Sequence, residues 1–137
     1  VEKIFGGVQK NTLLRSDVLT EILVPLPPAE AQGAYYKSGL RKAMDLAVVG
    51  VGAMVQAKNG TFDEVRIALG AVAPKPFRAK KAEKLLKGKK IEDRLIREAG
   101  ETAAAESEPI TDIRASKEYR IELIKELTYR AIKESLP

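Results

Sequence analysis

The chain has 137 residues, 45% of them hydrophobic and 31% charged, with a net charge of +5. That balance suits one globular domain and excludes an intrinsically disordered chain. It contains neither Cys nor His, which excludes disulfides, thiolate zinc sites, iron–sulfur clusters ligated from this chain and every His-dependent catalytic triad.

In chain order, Val18, Thr20, Ile22 and Val24 place β-branched residues on one face and predict a strand over 18–24, stopped by Pro25, Pro27 and Pro28. A second short strand begins at Ala34-Tyr35-Tyr36-Lys37. Leu46 to Val55 is almost wholly apolar and rich in Val, as expected of a strand covered on both faces. At ten residues it is far below the ~20 that a membrane helix needs. Asn59-Gly60 marks a hairpin, because both residues tolerate positive φ. Beyond it Val65, Ile67, Leu69 and Ala71 alternate with Glu64, Arg66, Ala68 and Gly70, the pattern of a half-buried antiparallel strand.

After Pro74 and Pro76 the period becomes helical. A first helix over 77–87 carries Ala79, Ala82, Leu85 and Leu86, with Gly88 as its stop. Ile91, Leu95, Ala99 and Ala103 define a second. A third starts at a Ser116 cap and carries Ile124, Leu127 and Ala131, with Glu126 and Arg130 in the favourable i, i+4 order. Strands followed by helices predict an α+β fold, an antiparallel sheet of three or four strands with about three helices mainly on one face. The expected division is a linker over 1–15, sheet over 16–73 and helices over 77–137. No secretory leader or membrane span is legible, and the expected location is the cytoplasm.

Few residues suggest chemistry. Gly50-Val51-Gly52 lacks the third glycine and the strand–turn–helix context of a dinucleotide fingerprint, and reads as a place of close packing. The pairs Glu92 with Asp93 and Glu118 with Glu122 lie on polar helix faces, and no catalytic or metal-ligating residue is assigned. Residues 75–90 hold eight basic residues against Glu83 alone. That segment leaves open a small nucleic-acid-binding module, though no recognition motif accompanies the charge and the few aromatics, three Phe and four Tyr, argue against a stacking platform. Asp112-Ile113-Arg114-Ala115-Ser116, followed by Tyr119-Arg120, reads as a capped helix entry in which Asp112 pairs with Arg114 or Arg120.

Three separated stretches carry a resemblance. The segments ALGAVAPKPFRAKKAEKLLKGK (68–89), PITDIRASKEYRIELIKELTYRAI (109–132) and YYKSGLRKAMDLAVVGVGA (35–53), with IFGGVQKNTLLRSDVLTEILVP (4–25) before them, resemble the flavoprotein subunit of molybdenum hydroxylases, the xanthine dehydrogenase and carbon monoxide dehydrogenase family. The likeness is to the C-terminal domain of the FAD-binding medium subunit. It implies a sandwich of an antiparallel sheet and three helices. It also implies FAD held mainly by a preceding domain, with molybdopterin on a large subunit and [2Fe–2S] clusters on a small one, in a hetero-oligomer with no nucleic acid. By the resemblance Leu19 and Lys37 fall on flavin contacts, while Arg41, Asp45, Asp112, Arg114 and Ser116 match the family pattern as architecture. A purely structural assembly domain, without flavin contact, is the alternative within the same family.

Overall fold

The computed structural model describes residues 2–137. A small N-terminal hairpin, β1 (Phe5–Gly7) and β2 (Lys10–Asn11), follows a 3₁₀ turn. The main sheet has four antiparallel strands in the order β3-β4-β5-β6: β3 is Ala31–Ser38, β4 Val49–Lys58, β5 Thr61–Gly70 and β6 Phe77–Arg78. Three helices follow, α1 (Lys80–Leu86), α2 (Asp93–Ala105) and α3 (Lys117–Glu134). Among the described residues no helix is long and apolar enough to cross a membrane.

The alternation in β4 and β5 gives the sheet one dry face. Register sets Val51 opposite Leu69, Ala53 opposite Ile67 and Val55 opposite Val65, and all six are buried. Side chains alternate along a strand, so an apolar set in register must share a face. That face packs against α3 and α1, while α2 bridges those two helices. Tyr36 of β3 points to the same side, and its hydroxyl donates to Glu134 near the end of α3.

Turn chemistry fixes the connections. Asn59 and Gly60 both take positive φ (51° and 72°), as a two-residue hairpin requires. Gly88 (φ 73°) ends α1, and its amide donates to the Phe62 carbonyl at 2.7 Å. The Ser116 Oγ caps α3 by accepting from the Tyr119 amide at 3.2 Å. The buried residues of α2 are small apart from Ile96: Ala99, Gly100, Ala103 and Ala104. A Cβ on Gly100 would stand 2.7 Å from the Lys125 carbonyl oxygen, so the α2 and α3 backbones touch there.

Several expectations are corrected. Residues 18–24 form no strand, and the main sheet begins at Ala31 rather than at 16. Val18, Leu19, Ile22, Leu23, Val24 and Leu26 are all exposed. The β-branched pattern there has no neighbouring strand to complete its hydrogen bonds, so the segment has no regular secondary structure and forms an exposed apolar arm. Part of the stretch expected as linker folds as the β1–β2 hairpin. Leu46 lies outside β4 and is exposed. The first helix starts at Lys80 rather than 77, because Phe77 and Arg78 pair with Leu69 and Ala68 as β6. Ile91 precedes α2, held by the hydrogen bond its amide donates to the Gly60 carbonyl at 2.9 Å.

Candidate functional site

Among the described residues no helix packs on the second face of the sheet. It carries Gly33, Tyr35 and Lys37 of β3, opposite Met54, Gly52 and Gly50 of β4. Tyr35 is 68% exposed and lies along the two β4 glycines. A Cβ on Gly50 would come within 2.9 Å of the Tyr35 hydroxyl, and one on Gly52 within 3.6 Å of its ring. The Gly50-Val51-Gly52 pair therefore sits inside a strand and makes room for an aromatic side chain, as close packing predicts and as a phosphate loop does not.

Lys37 lies two residues beyond Tyr35 on this face, and its Nζ donates to the Asp45 carbonyl at 2.5 Å. The loop between β3 and β4 supplies that carbonyl. Within it the Arg41 amide donates to Asp45 Oδ2 at 2.7 Å, and the Arg41 guanidinium donates to the Met44 carbonyl at 3.0 Å. Arg41 and Asp45 thus anchor the loop through main-chain groups, the Arg41 amide at one end and the Met44 carbonyl at the other. The Arg41 amide holds the Asp45 carboxyl below the usual carboxylate range. The sequence singled out Lys37 apart from Arg41 and Asp45, and the fold brings the three together. Leu19 lies on the exposed apolar arm and is 57% exposed.

At the same end of the sheet Asp112 organises the entry to α3. Its Oδ1 accepts from the amides of Arg114 (2.9 Å) and Ala115 (3.2 Å) and from Arg120 Nη2 (2.7 Å). Its Oδ2 accepts from Arg114 Nη1 at 3.0 Å. The Arg114 amide, with the Arg120 guanidinium and the Ala115 amide, holds the Asp112 carboxyl far below the usual range, against the opposing effect of desolvation. Arg120, 3% exposed, also donates from Nη1 to the carbonyls of Val48 (2.6 Å) and Ala71 (3.1 Å). Sequence reasoning named Asp112, Arg114 and Ser116 but gave Arg120 only as a possible partner. Its grip on carbonyls 72 and 49 residues away has no signature in local spacing. Beside this cluster runs an open groove of about 460 Å³, lined by Val8, Leu46, Pro74 and Ile110 among others.

The lysine-rich segment has an inward-turned acid. Glu83 is buried, accepts from Arg78 Nε and Nη2 at 2.8 and 2.7 Å, and accepts from the Ile67 amide at 2.9 Å. Glu106 reaches back to the amides of Lys81 and Ala82 at 3.0 Å, satisfying the start of α1. Neither acid was singled out from the sequence, because each acts on backbone amides that only the fold brings near. No cluster of three metal-ligating side chains exists among the described residues.

Comparison with known proteins places this geometry. Residues 34–135 match the CO dehydrogenase flavoprotein C-terminal domain. The chain is 33% identical over 130 residues to the glyceraldehyde dehydrogenase medium chain of Sulfolobus acidocaldarius, covering 95% of this chain and 46% of that one. It is 32% identical over 131 residues to the putative xanthine dehydrogenase FAD-binding subunit of Escherichia coli, covering 95% and 45%. Among solved structures it superposes on carbon monoxide dehydrogenase from Hydrogenophaga pseudoflava with a TM-score of 0.90 at 31% identity, covering 98% of this chain and 46% of that one. On quinoline 2-oxidoreductase from Pseudomonas putida the TM-score is 0.88 at 30% identity, covering 97% and 46%. The chain thus spans about half the length of the curated relatives it matches. From the four-stranded sheet to the capped last helix, it belongs to the CO dehydrogenase flavoprotein C-terminal domain family.

Proposed function

We propose that this chain is the C-terminal domain of the FAD-containing subunit of a molybdopterin-dependent hydroxylase or dehydrogenase. In this reading it completes the flavin site and docks subunits, so that electrons pass from [2Fe–2S] clusters to FAD and on to an acceptor. The observation that carries it is the match over residues 34–135, which takes in the uncovered sheet face with Lys37. The same match includes the lysine-rich segment, so the cationic surface is part of the flavoprotein domain rather than a separate nucleic-acid module.

The residues present fit one end of a flavin. Gly50 and Gly52 let the Tyr35 side chain lie flat on the strand, Tyr35 offers an exposed aromatic ring, and Lys37 offers a cation. FAD, when bound, supplies the capacity to take up and release electrons. Lys37 would stabilise negative charge on the reduced ring, and Leu19 would give an apolar contact from the arm. The pyrophosphate falls to another domain, since the paired glycines here lie within a strand. In this reading the iron–sulfur clusters belong to a small partner subunit and the molybdopterin to a large one, in a cytoplasmic hetero-oligomer, and the lack of Cys in this chain agrees with it.

The test is isolation of the native complex with an antibody against this chain, followed by assay of flavin, molybdenum and iron. Co-purification of all three is expected. A species free of all three overturns the reading.

A further inference from the structure

We infer that Asp45, with Gly39 beside it, is a positioning residue that fixes the Lys37 ammonium on the uncovered sheet face. The inference rests on the flavin reading above. A lysine on an exposed strand has a flexible four-carbon stem and spreads its charge over many rotamers. Here Nζ donates to the Asp45 carbonyl at 2.5 Å, and one N–H spent in this way leaves two more for a ligand.

The carbonyl stays in place because the Asp45 side chain folds back into its own loop. Its Oδ2 accepts from the Arg41 amide at 2.7 Å. The Arg41 guanidinium closes the turn on the carbonyl of Met44, a residue at φ 49°. Gly39 makes this possible: a Cβ there would stand 2.5 Å from Oδ2 and 3.2 Å from the carboxyl carbon. Any side chain at 39 pushes the carboxylate away from the Arg41 amide. The chain of dependence therefore runs from Gly39 to the Asp45 carboxylate, then to the Asp45 carbonyl, then to Lys37. An ammonium already ordered loses little freedom when a ligand arrives, and a fixed charge beside a flavin ring sets its electronics.

The experiment uses the full FAD-containing subunit and reads the flavin midpoint potential and the retention of FAD on dilution. Thermal unfolding of each variant serves as a control. Lys37→Met is expected to lower the potential, because a cation that favours the anionic reduced ring is lost. Asp45→Ala and Gly39→Ala are expected to lower it by at least half as much. The Lys37→Met/Asp45→Ala double variant should fall no further than Lys37→Met alone. Asp45→Asn, whose amide oxygen still accepts from the Arg41 N–H, should stay near wild type. If Asp45→Ala does not fold, Gly39→Ala against Asp45→Asn decides the matter. A shift in Lys37→Met with Gly39→Ala and Asp45→Ala at the wild-type potential overturns the positioning role and leaves the flavin reading intact. No shift in Lys37→Met overturns the flavin contact and the positioning role together.

Discussion

Arg120 reaches Asp112 across eight residues of chain at 2.7 Å, and the same guanidinium holds the carbonyls of Val48 and Ala71. One side chain thereby joins the entry to α3, the start of β4 and the turn after β5. Arg120→Ala is expected to destabilise the domain by about 1–3 kcal/mol, because the buried Val48 carbonyl loses its donor and the partly exposed Asp112 loses one partner, read by urea unfolding. Arg114→Ala should cost clearly less, because the Arg114 side chain is 34% exposed and its amide still serves Asp112. Equal losses from the two variants would contradict the arrangement.

The depressed Asp112 carboxyl makes a prediction with a definite sign. In the unfolded chain an aspartate titrates near ~3.9, and in the fold Asp112 titrates far lower. Between those values the unfolded state binds more protons, so stability rises with pH. The contribution is complete above the ordinary carboxyl range and is lost progressively as pH falls below it. Asp45, Asp93 and Glu118 are lowered too and act with the same sign. Asp112→Asn should therefore flatten the acid limb of stability against pH, measured by denaturant unfolding from about pH 5 downwards. An unchanged limb would show that Asp112 carries none of it.

Much of the fold is legible from local pattern. The β4–β5 hairpin is announced by Asn59-Gly60 between two apolar runs, and α3 by the Ser116 cap followed by the apolar stripe of Ile124, Leu127 and Ala131. What fails does so for physical reasons. Residues 18–24 carry a strand-like side-chain pattern, but a strand is made by its neighbour's hydrogen bonds, which one segment's residues do not encode. β6 is two residues long and too short to show a period. At the candidate site Lys37, Arg41 and Asp45 are visible as residue types. Their joining is not, because it runs through an amide and two main-chain carbonyls that every residue possesses.

Gly100 tests the helix–helix contact. Alanine favours an α-helix over glycine by about 1 kcal/mol, yet a Cβ here would lie 2.7 Å from a main-chain oxygen of α3 that cannot swing aside. Gly100→Ala is expected to destabilise by about 1–3 kcal/mol net through overpacking, seen as a lower midpoint in thermal or urea unfolding. A gain in stability would mean that α2 and α3 separate freely.

Glu83 tests the sheet edge. β6 pairs only with Ala68 and Leu69, and the neighbouring Ile67 amide depends on the Glu83 carboxylate at 2.9 Å. Glu83→Ala strands that buried N–H and should cost about 1–3 kcal/mol. Glu83→Gln keeps an acceptor and should recover part of the loss. Equal behaviour of the two variants in urea unfolding would show that the amide bond is not what matters.

The inward turn of Glu83 has an electrical consequence. Residues 75–90 carry eight basic side chains, and their one acid is spent inside the protein on Arg78 and the Ile67 amide. The remainder of the chain is slightly acidic in sum. Net positive charge is therefore concentrated in residues 75–90, the segment that holds α1. In dilute salt a charged body approaching it is turned before it touches, and at an ionic strength of ~0.15 M that torque fades beyond about 8 Å.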